Sequence, residues 1–343
     1  MTRPLVRLLL VLLLLAALLW VWAARSRPEK PSEPGEATHQ DGASNSVSRH
    51  QSGTIDPETS TGFTVVSSRP EPRPGVPASA ELLEEAHAHL DGGGREGTCG
   101  AYPRLGDATD PLLLESCDHL AAELDDTYVE RLGVTPLGEP VETILLFAER
   151  VDYESFARQQ GMNASGYAAH SSPSRGYTAI WADPTRPEDF AKTLVHELTH
   201  LVNRRTLGGN LPRWLSEGLA DALGDTATPE AIQPLGGLVG AEGQAKRLRL
   251  GYETGAVGSV ERLVSARPEE FDSAPNSYDY EQSTLLVRYL LLDPELGPRF
   301  RAFLADLADS APCTPEVLQQ HLNVSWPELD MRLQSWLGPD AAS

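Results

Sequence analysis

The chain has 343 residues, 40% of them hydrophobic and 22% charged, enough for one or two domains with a sizeable core. A formal net charge of -21 and a pI near 4.8 exclude a nucleic-acid role, because no basic face is available to neutralise phosphates. The same acidity disfavours docking on anionic lipid and otherwise signals solubility.

The N-terminus reads MTRPLVRLLLVLLLLAALLWVWAARSRPEK. Arg3 and Arg7 precede an uncharged run from Leu8 to Ala24, and Arg25, Arg27 and Lys30 follow it. The run's 17 residues fall between a signal-peptide core and a full membrane span. Trp20 and Trp22 suit the lipid–water interface of an anchor helix, whereas Val21–Ala23 resembles a small-residue cleavage site. Residues 1–24 are therefore expected to be a signal anchor or a cleaved signal peptide. The remainder is expected outside the cytoplasm, periplasmic or extracellular, either tied to the membrane through the N-terminal helix or secreted. Residues 25–78 are dominated by Pro, Ser, Gly, Glu and Thr, cannot bury enough apolar surface to offset their ordering entropy, and read as a disordered tether. His39 and His50 within it read as solvated side chains.

The pattern changes at residue 79. Leu82, Leu83, Ala86 and Leu90 mark a short amphipathic helix, with His87 and His89 on its other side. A second helix is predicted across DPLLLESCDHLAAELDDTYVERLG, ending at Gly133. PVETILLFAE then reads as a strand, VDYESFARQQG as a helix closed by Gly161, and GYTAIWAD as another strand. Helix, strand, helix, strand leading into a further helix gives an α+β part over 79–227. Residues 228–343 read as a mostly helical part of the same unit, with Leu285, Leu286, Tyr289 and Leu290 on one apolar stripe. Cys99 and Cys117 could close a short loop and leave Cys313 free, or all three could be thiols.

The chemistry centres on AKTLVHELTHLVNR. Pro187 suits a first helical turn, Glu188 and Asp189 are early acids, and Phe190, Leu194, Leu198 and Leu201 recur at helical spacing. Residues i and i+4 share a helix face, so His196 and His200 can aim ring nitrogens at one metal ion. Glu197 lies about 100° round the helix, close enough to act on a water without becoming a ligand. A third ligand is still needed, and LPRWLSEGLADALGD supplies one. Pro212 opens another helix in which Glu217 and Asp221 are i and i+4, and the 16 residues between His200 and Glu217 allow the chain to turn and return. Asp221 can then accept the ring N–H of a liganding histidine and fix its tautomer.

H-E-x-x-H followed by W-L-x-E-G-x-A-D resembles the signature of the gluzincin metallopeptidases, the thermolysin-like clan, and looks closest to bacterial peptidase MA-like domains. The resemblance is strong across about 187–224 and extends more weakly over most of 140–337. It implies a zincin-like fold with a small mixed sheet and an active-site helix, one zinc ion per chain, and a peptide or protein substrate. His196, His200 and Glu217 would be the zinc ligands, Glu197 the general base and Asp221 the outer partner of His196. It points to Tyr280, in Tyr-x-x-Ser leading into a helix, as the oxyanion donor, with Tyr278 and then His170 as alternatives. It also implies that GYTAIWAD is an edge strand pairing with substrate backbone. Trp181 and Trp214 read as core residues. A metzincin arrangement is excluded, because Asn203 and Thr206 stand where that class needs Gly and His. The alternative to a peptidase is a catalytically inactive zinc-containing scaffold or peptide-binding domain.

Overall fold

The computed structural model describes residues 72–338 apart from 165 and 272–277. It is α+β, with one small mixed sheet and many helices. Helix α1 (Ala80–His87) leads to the hairpin β1 (Arg95–Cys99) and β2 (Tyr102–Gly106), then α2 (Pro111–Thr127), β3 (Thr143–Phe147), α3 (Arg150–Gln159), β4 (Ala169–Ser172) and β5 (Tyr177–Trp181). The sheet order is β1-β2-β3-β5-β4, parallel from β2 through β3 to β5 and antiparallel at both margins.

Strand β3, TILLF, shows why the sheet is buried on both faces. Ile144 and Leu146 belong to the main core beneath the long helix that follows β5, whereas Leu145 and Phe147 point to a second core lined by α1 and α3. A strand covered on both sides reads as a continuous apolar run rather than an alternation. Cys99, at the end of β1, is disulfide-bonded to Cys117 on α2, which closes the pairing left open by the sequence, and Cys313 is free.

Helix α4 (Pro187–Thr206) lies across β4 and β5, and α5 (Arg213–Gly224) packs back on it. Arg205, near the C-terminus of α4, is fully buried and donates to both oxygens of Asp125 on α2 and to the Tyr102 hydroxyl on β2, pinning the helix to the sheet and α2. A two-stranded β6 (Ala227–Thr228) and β7 (Ala231–Ile232) precedes α6 (Glu242–Glu253), α7 (Val260–Ser265), α8 (Pro268–Phe271), α9 (Asp279–Leu292), α10 (Leu296–Ala308), α11 (Pro315–Leu322) and α12 (Trp326–Trp336).

Three expectations change. The hairpin β1–β2 and the strand β4 carried no apolar alternation and were not foreseen. Helix α9 does not present a single stripe: Gln282, Ser283, Thr284 and Arg288 are as buried as Leu285 and Leu286, because α5, α6, α7, α10 and α12 all pack on it. The membrane-anchored placement is also corrected. No helix among the described residues is long and apolar enough to cross a membrane. Even the 20-residue α4 carries Glu188, Asp189, Lys192, Glu197, Arg204 and Arg205, where a span needs about 20 predominantly apolar residues. The Leu8–Ala24 run on which that expectation rested lies outside the described residues, as does the tether up to residue 71. Of the tether, 72–78 forms no regular element, yet the Arg73 amide donates to the Arg204 carbonyl at 3.1 Å.

Candidate metal centre

Helix α4 forms where the sequence supports it at both ends, with Pro187 in its first turn, Glu188 and Asp189 beside the N-terminal dipole, and Arg204 and Arg205 in the last turn. It continues unbroken to Thr206, whose hydroxyl donates to the Val202 carbonyl, and Asn203 accepts a hydrogen bond from the Tyr128 hydroxyl. Neither residue belongs to the group that could hold a metal ion. Helix α5 returns at close range because Gly224 faces α4: a Cβ there would lie 3.0 Å from the Lys192 carbonyl oxygen and 3.4 Å from Cβ of His196.

This crossing brings His196, His200 and Glu217 together. Their ligand atoms all lie within 4.8 Å of one another, and all three residues are buried. The two Nε2 atoms are 3.3 Å apart, and Oε2 of Glu217 lies 3.8 Å from that of His196 and 3.9 Å from that of His200. Two imidazoles and one carboxylate converging in a buried pocket are a donor set that could hold a metal ion. Arg213 donates to the other carboxylate oxygen, Oε1, at 3.0 Å, which leaves Oε2 turned toward the histidines.

The surrounding residues hold these donors in place. Asp221 Oδ1 lies 2.9 Å from Nδ1 of His196, and its Oδ2 accepts from the Thr284 hydroxyl on α9 at 3.0 Å. Nδ1 of His200 lies 3.1 Å from the Ser216 hydroxyl. Glu197 points to β4, where the Ser171 hydroxyl lies 2.7 Å from its Oε2 and 2.9 Å from its own carbonyl oxygen. Ser171 pairs across the strands with Thr178.

Burial and charge set the protonation states. Burial lowers the His196 pKa, but the hydrogen bond and charge of Asp221, helped by Glu197 and Glu217, raise it to about 9. His200 is pushed well below the usual histidine range by burial, by His196 and by Arg213. A protonated His196 can therefore donate from Nε2 to a neutral His200. Burial raises the Glu197 carboxyl to about 7, against the lowering effects of His196 and Ser171. A buried carboxyl with a pKa near neutrality is suited to proton transfer.

The remaining expected residues are placed as follows. Tyr280 lies in the first turn of α9 with its ring edge-on to Phe271 at 5.0 Å, one turn before Thr284. The Tyr278 ring packs over Gly251 of α6. His170 is removed from the site: it sits on the opposite face of β4 from Ser171, in the second core against Tyr153, Phe156 and Tyr177. Its two ring nitrogens lie 3.3 and 3.2 Å from the Tyr153 and Tyr177 hydroxyls. The edge strand beside α4 is β4, not GYTAIWAD, which forms the interior strand β5. Trp214 is buried, and Trp181 is partly so. Ser171, Arg213, Ser216 and Thr284 were not singled out from the sequence. Nothing in the sequence marked them: Ser171 and Thr284 are buried, whereas Arg213 and Ser216 are only partly so.

Comparison with family models, with curated proteins and with solved structures returns no match.

Proposed function

We propose that the chain is a zinc-dependent metallopeptidase with a zincin-like catalytic unit of the gluzincin type. The observation that carries this reading is the meeting of His196, His200 and Glu217 beside a fourth buried group, Glu197, which is not one of the three donors. The donor spacing supports zinc: in a tetrahedral zinc site two ligating nitrogens lie about 3.3 Å apart, as the two Nε2 atoms do here. The Glu217 oxygen is about half an ångström farther than that arrangement needs, a distance that a small side-chain rotation closes.

Bound zinc supplies Lewis acidity, which acidifies a water and polarises a substrate carbonyl. The chain's own residues do the rest. Asp221 accepts the Nδ1 proton of His196 and so keeps Nε2 free to ligate, and Ser216 can do the same for His200. Glu197 removes a proton from the attacking water and returns it to the leaving amine. Ser171 holds that carboxylate in place between these two transfers. Tyr280 is the proposed donor to the developing oxyanion. Water and substrate meet in a buried setting, where these interactions are stronger than in bulk solvent.

Glu197→Gln tests the reading. The amide cannot take a proton, so the variant should keep its zinc and fold and lose about 10³-fold or more in hydrolysis across a diverse peptide library. Wild-type turnover in that variant removes Glu197 as the base. Zinc binding by both proteins without hydrolysis by either would favour a scaffold.

A further inference from the structure

Helix α9 contributes none of the three donors, yet its contact with α5 is the most extensive between any two elements among the described residues. Its approach is unusually close at one point. Gly218, the residue after Glu217, faces α9 so directly that a Cβ would lie 2.7 Å from the Ser283 carbonyl oxygen and 2.7 Å from Cγ2 of Val287. Real Cβ contacts essentially never fall that short, so any side chain at 218 would force the helices apart. What this proximity brings into reach is Thr284, the neighbour of Ser283, whose hydroxyl meets Oδ2 of Asp221 at 3.0 Å.

Thr284 is fully buried, and its hydroxyl has two acceptors nearby: Asp221, and the Tyr280 carbonyl at 2.9 Å. A hydroxyl has one hydrogen to give. The carbonyl already serves the helix, and a carboxylate makes the stronger, charge-assisted bond. The proton therefore goes to Asp221. The opposite oxygen of the same carboxylate faces Nδ1 of His196 at 2.9 Å. A carboxylate held at only one oxygen can swing about its Cβ–Cγ bond, whereas one held at both has a fixed plane.

We propose that Thr284 is a positioning residue for the candidate metal centre. Its hydroxyl, brought close by the approach of α9 to α5 at Gly218, locks the Asp221 carboxylate onto Nδ1 of His196 and thereby aims Nε2 at His200 and Glu217. The inference rests on the reading of His196, His200 and Glu217 as metal ligands but not on peptide hydrolysis.

The test is zinc affinity of the full chain, measured by competition with a chromophoric chelator. Thr284→Val, close in shape but unable to donate, should weaken zinc binding by about 10- to 100-fold, the usual effect of losing an outer-shell partner. Thr284→Ser should restore affinity to within about threefold, because the donor returns. Thr206→Val removes a buried threonine hydroxyl whose bond, among the described residues, is to the Val202 carbonyl of its own helix and should leave affinity unchanged. In an Asp221→Asn background, Thr284→Val should add little further loss. Wild-type affinity in Thr284→Val overturns the proposal, as does a serine variant no better than valine or full additivity with Asp221→Asn. If Thr284→Val does not fold, Thr284→Ala carries the same comparison. Absence of zinc binding by the wild-type chain would instead remove the metal centre itself, whereas zinc binding without peptide turnover would leave this inference standing.

Discussion

His170 provides a quantitative test of the structure that is independent of any metal. It is 1% exposed, and its pKa is lowered from 6.5 to about 3, first by burial and then by the positive charge of Arg175. Tyr153, Phe156 and Tyr177 surround it without offering a carboxylate, and Arg175 itself lies over the Tyr177 ring. The folded protein therefore binds the His170 proton more weakly than the unfolded chain does. With the folded pKa depressed, the stability tied to this residue is complete above pH 6.5 and is lost as pH falls toward 3. At pH 4.5, about two units below the unfolded value, the loss from this one residue is on the order of 2–3 kcal/mol. Urea unfolding of wild type and of His170→Gln at pH 7.5 and pH 4.5 measures it. The glutamine variant pays a constant packing cost at both pH values, but its drop between them should be smaller than that of wild type by roughly 2–3 kcal/mol. Equal drops in the two proteins would show that His170 is not neutral and enclosed as described. They would also reopen its candidacy as a catalytic group.

Three further predictions concern the site. Purified protein should carry about one zinc per chain and Glu217→Ala should lose most of it, because two histidines alone leave zinc short of a third protein ligand; metal analysis showing full occupancy would remove Glu217 from the ligand set. Tyr280→Phe should lower kcat by roughly 10²- to 10³-fold, about 3–4 kcal/mol, with KM and zinc content little changed. Tyr278→Phe, whose ring packs on Gly251, should not, and a larger loss at Tyr278 would reverse the assignment. Ser171→Ala deletes a hydrogen bond that lowers the Glu197 pKa. The acidic limb of its kcat/KM profile should therefore move to higher pH, leaving a greater deficit at pH 6 than at pH 8, and an unshifted limb would place Ser171 outside the mechanism.

The donor set was legible in the sequence because it depends on local periodicity. His196 and His200 are one turn apart on one helix, Glu217 and Asp221 one turn apart on the next, and only the fact that the chain turns back had to be assumed. The structure brings the first three within 4.8 Å and puts Asp221 on Nδ1 of His196. Ser171 and Thr284 were not legible, since they reach the site from β4 and α9, 26 and 63 residues away from Glu197 and Asp221 respectively, and no spacing rule links such positions. The strand Ala169–Ser172 was missed for a related reason. Its residues, AHSS, have little strand preference of their own and are buried by α4 on one face and the aromatic cluster on the other. His170 was misjudged because a lone histidine near a metal motif does not reveal which face of a strand it takes, and a shift of one residue reverses that face.

The charges around the centre bear on why these residues are arranged as they are. Glu197, Glu217, Asp221 and Asp225 lie on or at the end of two crossing helices, and the first two are almost wholly buried. Nearby cations are already engaged: Arg213 by Glu217, and Lys192 and Arg288 by Asp225. Burial, more than repulsion between carboxylates, disfavours the ionisation of Glu197 and Asp225. Burial and Asp221 raise Asp225 to about 7, and Glu197 is also raised to about 7, while His196 retains a proton up to about 9. In that state the Nε2 edge carries a proton facing His200, at the point where the three donors that could hold a metal ion converge. A divalent ion bound there would replace one imidazolium charge with two positive charges and favour ionisation of Glu197 beside it. Metal binding, if it occurs at these donors, would oppose all three shifts and would also ready Glu197 to act as a base under the reading proposed above. An isolated polar patch on a helix would need none of this. It would leave Glu197 and Glu217 in solvent, where their carboxylates ionise at no cost.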